Sequence, residues 1–206
     1  MYEKKPMTIE NTSMEIIDAY LHDVDFTEEQ LPVVRRMIHT TGDVDYRHII
    51  DIHAHFIGAA TEAVRSQAKV YTDTNMVRAG INKKALEKSG VELLTLISDE
   101  DVAEKARERK TTRSIVAMEE AVKRGCTGFI IGNAPTALFR LLELIDEEKA
   151  NPAFLIAVPV GFVGAAQSKE KVADYDVPYI RTRGTKGGSN VAASIFNAIL
   201  YGVYPR

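Results

Sequence analysis

An α/β fold in three layers, with a mostly parallel sheet covered by helices on both faces and an N-terminal helical segment, is predicted by three observations. After Lys69 short apolar runs alternate with amphipathic helical stretches, a rhythm that belongs to parallel strands joined by helical crossovers. Before it, apolar residues recur at helical spacing. The chain has 206 residues with no low-complexity linker and no internal repeat, so a single domain over 1–206 is expected.

The elements follow in order. "SMEIIDAYL" from Ser13 sets Ile16, Ile17, Tyr20 and Leu21 on one helical face, and "TEEQLPVVRRMIHTTG" predicts a second helix, with Thr27 to Gln30 as its capping box. A third helix is expected from His55 to about Gln67. The apolar runs "KVYTD" at Lys69, "VELLTLI" at Val91, "TGFIIG" at Thr127, "AFLIAVPV" at Ala153 and "VPYIRT" at Val177 predict five strands. Helical patterns separate them at Asn82 to Ser89, Asp99 to Arg124 with a break near Thr111, Ala134 to Glu147 and Ser168 to Asp174, and a last helix runs from Gly188 to Tyr201.

Composition narrows the function. A hydrophobic content of 45% against 27% charged residues is that of a globular protein, and a net charge of −3 offers no global attraction to nucleic acid or anionic lipid. Any anion site must therefore be local. The single cysteine, Cys126, has no intramolecular partner, which fits a reducing cytoplasm. "MYEKKPMTIE" carries charge with no apolar run behind it, so no signal peptide or lipidation is expected, and "NPAFLIAVPVGFVGAAQS" is too interrupted by proline and glycine for a membrane helix.

In a parallel sheet the loops after the strand C-termini build the site. Two stand out. "IIGNAPTALF" enters a helix through Gly132, with Asn133 as the expected N-cap and Pro135 in the first turn; free N–H groups there favour an anion. "RTRGTKGGSN" interleaves Arg181, Arg183 and Lys186 with Gly184, Gly187 and Gly188. Neither matches a nucleotide fingerprint. Each alone is equally well explained as a tight turn and helix cap, and together they suggest a ligand with several carboxylates or phosphates.

All five histidines, His22, His39, His48, His53 and His55, lie in the first quarter. His-x-His at His53 and His55 suggests a metal-dependent hydrolase, yet no histidine follows to complete a coordination sphere, and a structural role is the better reading. His39 differs, because it closes a helix in "RRMIHTTGD" and Arg36 at i−3 can share its face. An imidazole there serves either as a partner of the helix dipole or as a proton donor and acceptor.

"IHTTGD", "TDTNMVRAGI", "KTTRSIVAME", "IIGNAPTALF", "VPVGFVGAAQSKE" and "VPYIRTRGTKGGSNVAAS", in this order, resemble the precorrin-8X methylmutase family, including its cobalt-precorrin-8 branch, from about Ser13 to the last helix. The resemblance implies a cofactor-independent, metal-free isomerase of cobalamin biosynthesis. It would move a methyl group of a tetrapyrrole-derived corrin precursor from C-11 to C-12, to give hydrogenobyrinate or cobyrinate. It also implies a parallel α/β fold and a cytoplasmic homodimer, with the ligand in a cleft near the subunit interface and neither nucleic acid nor membrane as partner. By motif position the catalytic histidine corresponds to His39, the neighbouring binding arginine to Arg36, a binding serine at the head of the first helix to Ser13, and a further ligand contact to Arg113. Thr40, Asn133, Arg183 and Lys186 complete the expected substrate-binding set. His48, His53 and His55 belong to no motif of that family. A non-catalytic corrinoid carrier would show the same basic loops and is the second alternative beside the hydrolase.

Overall fold

The computed structural model describes residues 4–205, with side chains omitted at residues 6 and 7. Six strands form one sheet in the order β1-β6-β5-β4-β2-β3, where β1 is Ile50–Ile52, β2 Lys69–Thr72, β3 Glu92–Leu94, β4 Gly128–Ile131, β5 Phe154–Ala157 and β6 Tyr179–Thr182. All neighbouring strands are parallel except β1, which runs antiparallel to β6 with Asp51 opposite Arg181. The five expected strands are therefore β2 to β6. The sixth lies within the stretch that suggested a metal site.

Successive side chains of each buried strand serve opposite faces. Val70, Ile130, Phe154, Ile156 and Ile180 join one apolar core, and Tyr71, Phe129, Ile131, Leu155, Ala157 and Tyr179 join the other. The first core is roofed by α1 (Pro6–Asp18), α2 (Leu31–Thr41), α4 (Phe56–Arg65), α6 (Lys83–Ser89) and α11 (Ser189–Val203). The second is covered by α7 (Glu100–Glu108), α8 (Arg113–Lys123) and α9 (Pro135–Asp146), with α10 (Ala165–Lys171) packed against α9. Three layers result, as expected. Two short helices escaped the periodicity reading, α3 (Tyr46–Ile49) and α5 (Asn75–Gly80), because neither spans two turns.

Helix α11 is the centre of the first core: Ile195, Phe196 and Leu200 are fully enclosed, and each such side chain contributes about 1.5–3 kcal/mol of burial. It packs on α2, α4 and α5. Helix α2 starts one residue after the expected capping box. Only half of that box forms, with the Thr27 N–H donating to Gln30 Oε1 at 3.0 Å, while Pro32 occupies the first turn, where no N–H is needed. The helix ends at Gly42, whose φ of 64° closes the last turn through its N–H to the Ile38 carbonyl at 2.8 Å.

Helix α1 corrects one expectation. It begins at Pro6, so Ser13 sits in its interior and not at its head. Of the expected domain, residues 1–3 and 206 lie outside the described part.

Candidate active site

The chain order reverses direction across the sheet between β2 and β4, and in open parallel sheets a ligand ordinarily binds outside the strand ends at such a point. Here that place is filled from within. Asp73, directly after β2 and fully buried, accepts the N–H groups of Gly132 at 3.0 Å, Asn133 at 2.8 Å and Ala134 at 2.8 Å. Burial pushes the Asp73 carboxyl upward, and the three amide donors pull the other way. The free N–H groups expected to face a ligand anion are thus taken by a protein carboxylate. Asn133 is also not the N-cap, which is Ala134; the Asn133 side chain is exposed beside the turn. Gly132 is required here, since a Cβ would lie 2.8 Å from Ser189 Cα at the start of α11.

The open region lies further along the strand ends, towards β5 and β6. The turn after β6 is laced to the one after β5: Gly188 N–H donates to the Val158 carbonyl at 2.9 Å, and Gly161 N–H donates to the Thr185 carbonyl at 3.1 Å. Against this pair rests the end of α2 with α3. Lys186 Nζ pairs with Asp43, holding the Asp43 carboxyl below its usual range, and lies 5.8 Å from the centre of the Tyr46 ring. Together Thr40, Thr41, Asp43, Val160, Lys186 and Asn190 border an open cleft of about 360 Å³.

His39 is exposed in the last turn of α2, next to Thr40, and its ring makes no hydrogen bond with any described residue. Arg36, one turn earlier, turns into a neighbouring groove of about 610 Å³ between α1, α2 and the end of α11. There its Nη2 bonds Glu10 at 2.8 Å and its guanidinium stacks 5.0 Å from the Tyr201 ring centre. Ser13 Oγ donates to the Ile9 carbonyl of its own helix at 2.7 Å. Arg113 is the exposed first residue of α8, whose cap Thr112 donates to Thr136 at 3.4 Å near the start of α9. Arg183 is exposed, with Nη2 at 3.8 Å from Asp51.

The structure therefore brings Thr40 and Lys186 to one cleft, leaves His39 next to Thr40 in the chain but outside the cleft lining, and leaves Ser13, Arg36 and Arg113 on other surfaces. Arg181, expected among the loop cations, is instead structural: Nε and Nη2 bond Asp51 at 2.7 and 2.6 Å, and Nη1 donates to the Lys169 and Glu170 carbonyls. This explains the Asp51-Ile52-His53 stretch as an edge strand clamped onto β6. His53 and His55 meet each other, with the His55 N–H donating to His53 Nδ1 at 3.3 Å; among the described residues no group of three or more metal-ligating side chains forms. Sequence reading missed Asn190, Asp43 and Val160 at the cleft, and the apolar pair Phe162 and Val163 just after Val160 in the chain, 92% and 91% exposed. The signal for that exposed pair was present in "VPVGFVGAA", where two large apolar residues stand between glycines.

Comparison with known proteins agrees with this architecture. The family model of precorrin-8X methylmutase matches residues 8–202. The chain is 45% identical over 95% of its length to a cobalt-precorrin-8 methylmutase of Priestia megaterium, covering 87% of that protein, and 40% identical to one of Salmonella typhimurium, covering 97% of each. A crystal structure of precorrin-8X methyl mutase from Thermus thermophilus superposes with a TM-score of 0.87 at 33% identity, covering 94% of both chains. A match through nearly every element, from the first helix into the last, makes this chain a member of the precorrin-8X methylmutase family and, with it, an isomerase.

Proposed function

We propose that this chain moves a methyl group from C-11 to C-12 of precorrin-8X or cobalt-precorrin-8, forming hydrogenobyrinate or cobyrinate in cobalamin biosynthesis, with His39 as the proton donor and acceptor. The observation that carries the reading is the family match across residues 8–202, joined to an exposed imidazole that has no hydrogen-bond partner among the described residues and stands one position in the chain from Thr40, which borders the cleft with Lys186. We favour the cobalt-containing substrate, because the two relatives at 45% and 40% identity are named for it.

The chemistry suits the groups present. The substrate is a flat apolar ring fringed by acetate and propionate arms. Arg183, exposed, and Lys186 supply cationic donors for those arms, and Arg113 supplies a third on the α8 side. Lys186 exchanges its Asp43 partner for a substrate carboxylate. Phe162, Val163 and Val160 offer apolar surface to the ring. Protonating a ring nitrogen beside the migration path draws electron density from the adjacent carbon and lowers the barrier. His39 gives that proton and recovers it after migration, so the residue cycles without a cofactor; such general acid catalysis supplies about 10² to 10⁴-fold.

The reading includes a cytoplasmic homodimer, in which a second subunit closes a cleft that is open in one chain. Among the described residues no helix is long and apolar enough to cross a membrane. The test is a spectral turnover assay with both substrates. Parent enzyme converts the precorrin-8 spectrum to that of the rearranged corrin, and His39→Ala binds the ring while losing most turnover. A bound spectrum that shifts and stays fixed in the parent points to a corrinoid carrier, and full turnover in His39→Ala removes that residue from the mechanism.

A further inference from the structure

Lys169, on α10, is fully buried, and among the described residues no carboxylate partners it. Its ammonium donates to Thr182 Oγ1 at 3.1 Å, just before the basic glycine turn, and to the Lys186 carbonyl at 2.7 Å, within it. The Thr182 hydroxyl in turn donates to the same Lys186 carbonyl at 2.7 Å, closing a triangle. Arg181 Nη1 fixes the base of this lysine through the Lys169 carbonyl at 2.8 Å.

Enclosing an ammonium with only neutral acceptors costs free energy, and burial pushes this one down to about 8. A cross-link that served stability alone would be better made from apolar groups. What the lysine does achieve is geometric. It pulls the Lys186 carbonyl inward, so that the side chain of Lys186 leaves the turn on the opposite side, towards Asp43 and the cleft. Gly187 then lies flat on the Val158 carbonyl, where an added Cβ would sit 2.2 Å from the oxygen.

We propose that Lys169 is a positioning residue of the isomerase: its enclosed ammonium holds the Arg183–Gly188 turn in the shape that presents Arg183 and Lys186 to carboxylate arms of the substrate. This rests on the reading that the turn receives those arms.

Lys169→Met tests it. The variant keeps side-chain length and removes the donor, and the Lys186 carbonyl keeps its bond from Thr182. Two readouts decide. Amide hydrogen exchange over residues 183–188 rises while the strands stay protected, and KM for the precorrin rises about tenfold with kcat within about threefold, the split that marks lost substrate positioning. Unchanged exchange over 183–188 overturns the proposal, as does a KM within about twofold of the parent, or a fall in kcat alone. A parent enzyme that converts neither precorrin refutes the reaction instead, and exchange then decides on Lys169 by itself. If Lys169→Met does not fold, Thr182→Val replaces it: the same two readouts move in the same directions by about threefold, and no change in either overturns the proposal.

Discussion

Asp73→Asn is the sharpest perturbation of this fold, because one carboxylate satisfies three backbone donors where the chain would otherwise hold a ligand. Oδ2 accepts two N–H groups, from Asn133 and Ala134, both at 2.8 Å, and Oδ1 accepts that of Gly132 at 3.0 Å. The best orientation of an asparagine keeps its carbonyl on the first two and turns its NH₂ towards the Gly132 N–H, opposing donor to donor. One buried amide is then orphaned, at about 1–3 kcal/mol, and the other two bonds lose their charge assistance, roughly 0.5–1 kcal/mol each. Removing a buried charge returns part of this, which leaves a loss of about 2–4 kcal/mol. For a chain of this size that lowers Tm by about 4–16 °C. Urea unfolding followed by far-ultraviolet circular dichroism at pH 7 measures it, with the m-value checked for constancy. Below the transition KM for the precorrin stays within about threefold of the parent, since no substrate carboxylate competes for those amides. A stability loss under about 1 kcal/mol refutes the reasoning, and so does a KM raised tenfold or more at full stability.

Gly187→Ala drives a methyl group to 2.2 Å from the Val158 carbonyl, so the turn shifts, Tm falls by more than about 5 °C in a thermal scan and KM rises; an unchanged Tm counts against the packing described. Arg181→Met removes both donors from Asp51, and with side-chain exposures of 11% and 20% for the pair the loss is about 2–3 kcal/mol in urea unfolding, with fastest added exchange at β1; a loss below about 0.5 kcal/mol refutes the clamp. The parent gains stability relative to Lys169→Met as pH rises from about 8 towards 10.5, because the unfolded lysine keeps its proton throughout that window while the folded one has released it; the gain is about 3 kcal/mol in all, and a difference between urea midpoints that stays flat with pH refutes it.

Much of the architecture was legible in the residues. Apolar runs at Lys69, Val91, Thr127, Ala153 and Val177 are strands, those of β4 and β5 buried along their whole length as parallel strands between two helical layers are, and Thr112 and Gly42 mark helix boundaries through a side-chain cap and a left-handed φ. The antiparallel β1 was not, since three residues carry no periodicity and its pairing with β6, Asp51 opposite Arg181 among it, joins positions about 130 residues apart. The motif order likewise pointed to the family that the matches identify.

What the amino-acid order determined by itself, then, was the three-layer α/β class, the family, and the residue types from which a carboxylate-binding site is made. Which cations remain available was decided only by the tertiary structure. Arg181 and the turn at Gly132 have the right chemistry for a ligand, but Asp51 and Asp73, distant in sequence, reach them first and neutralise them. A charge read along the chain has no address until folding assigns its partner, since Coulombic and hydrogen-bond energies depend on separation in space and not on spacing in sequence.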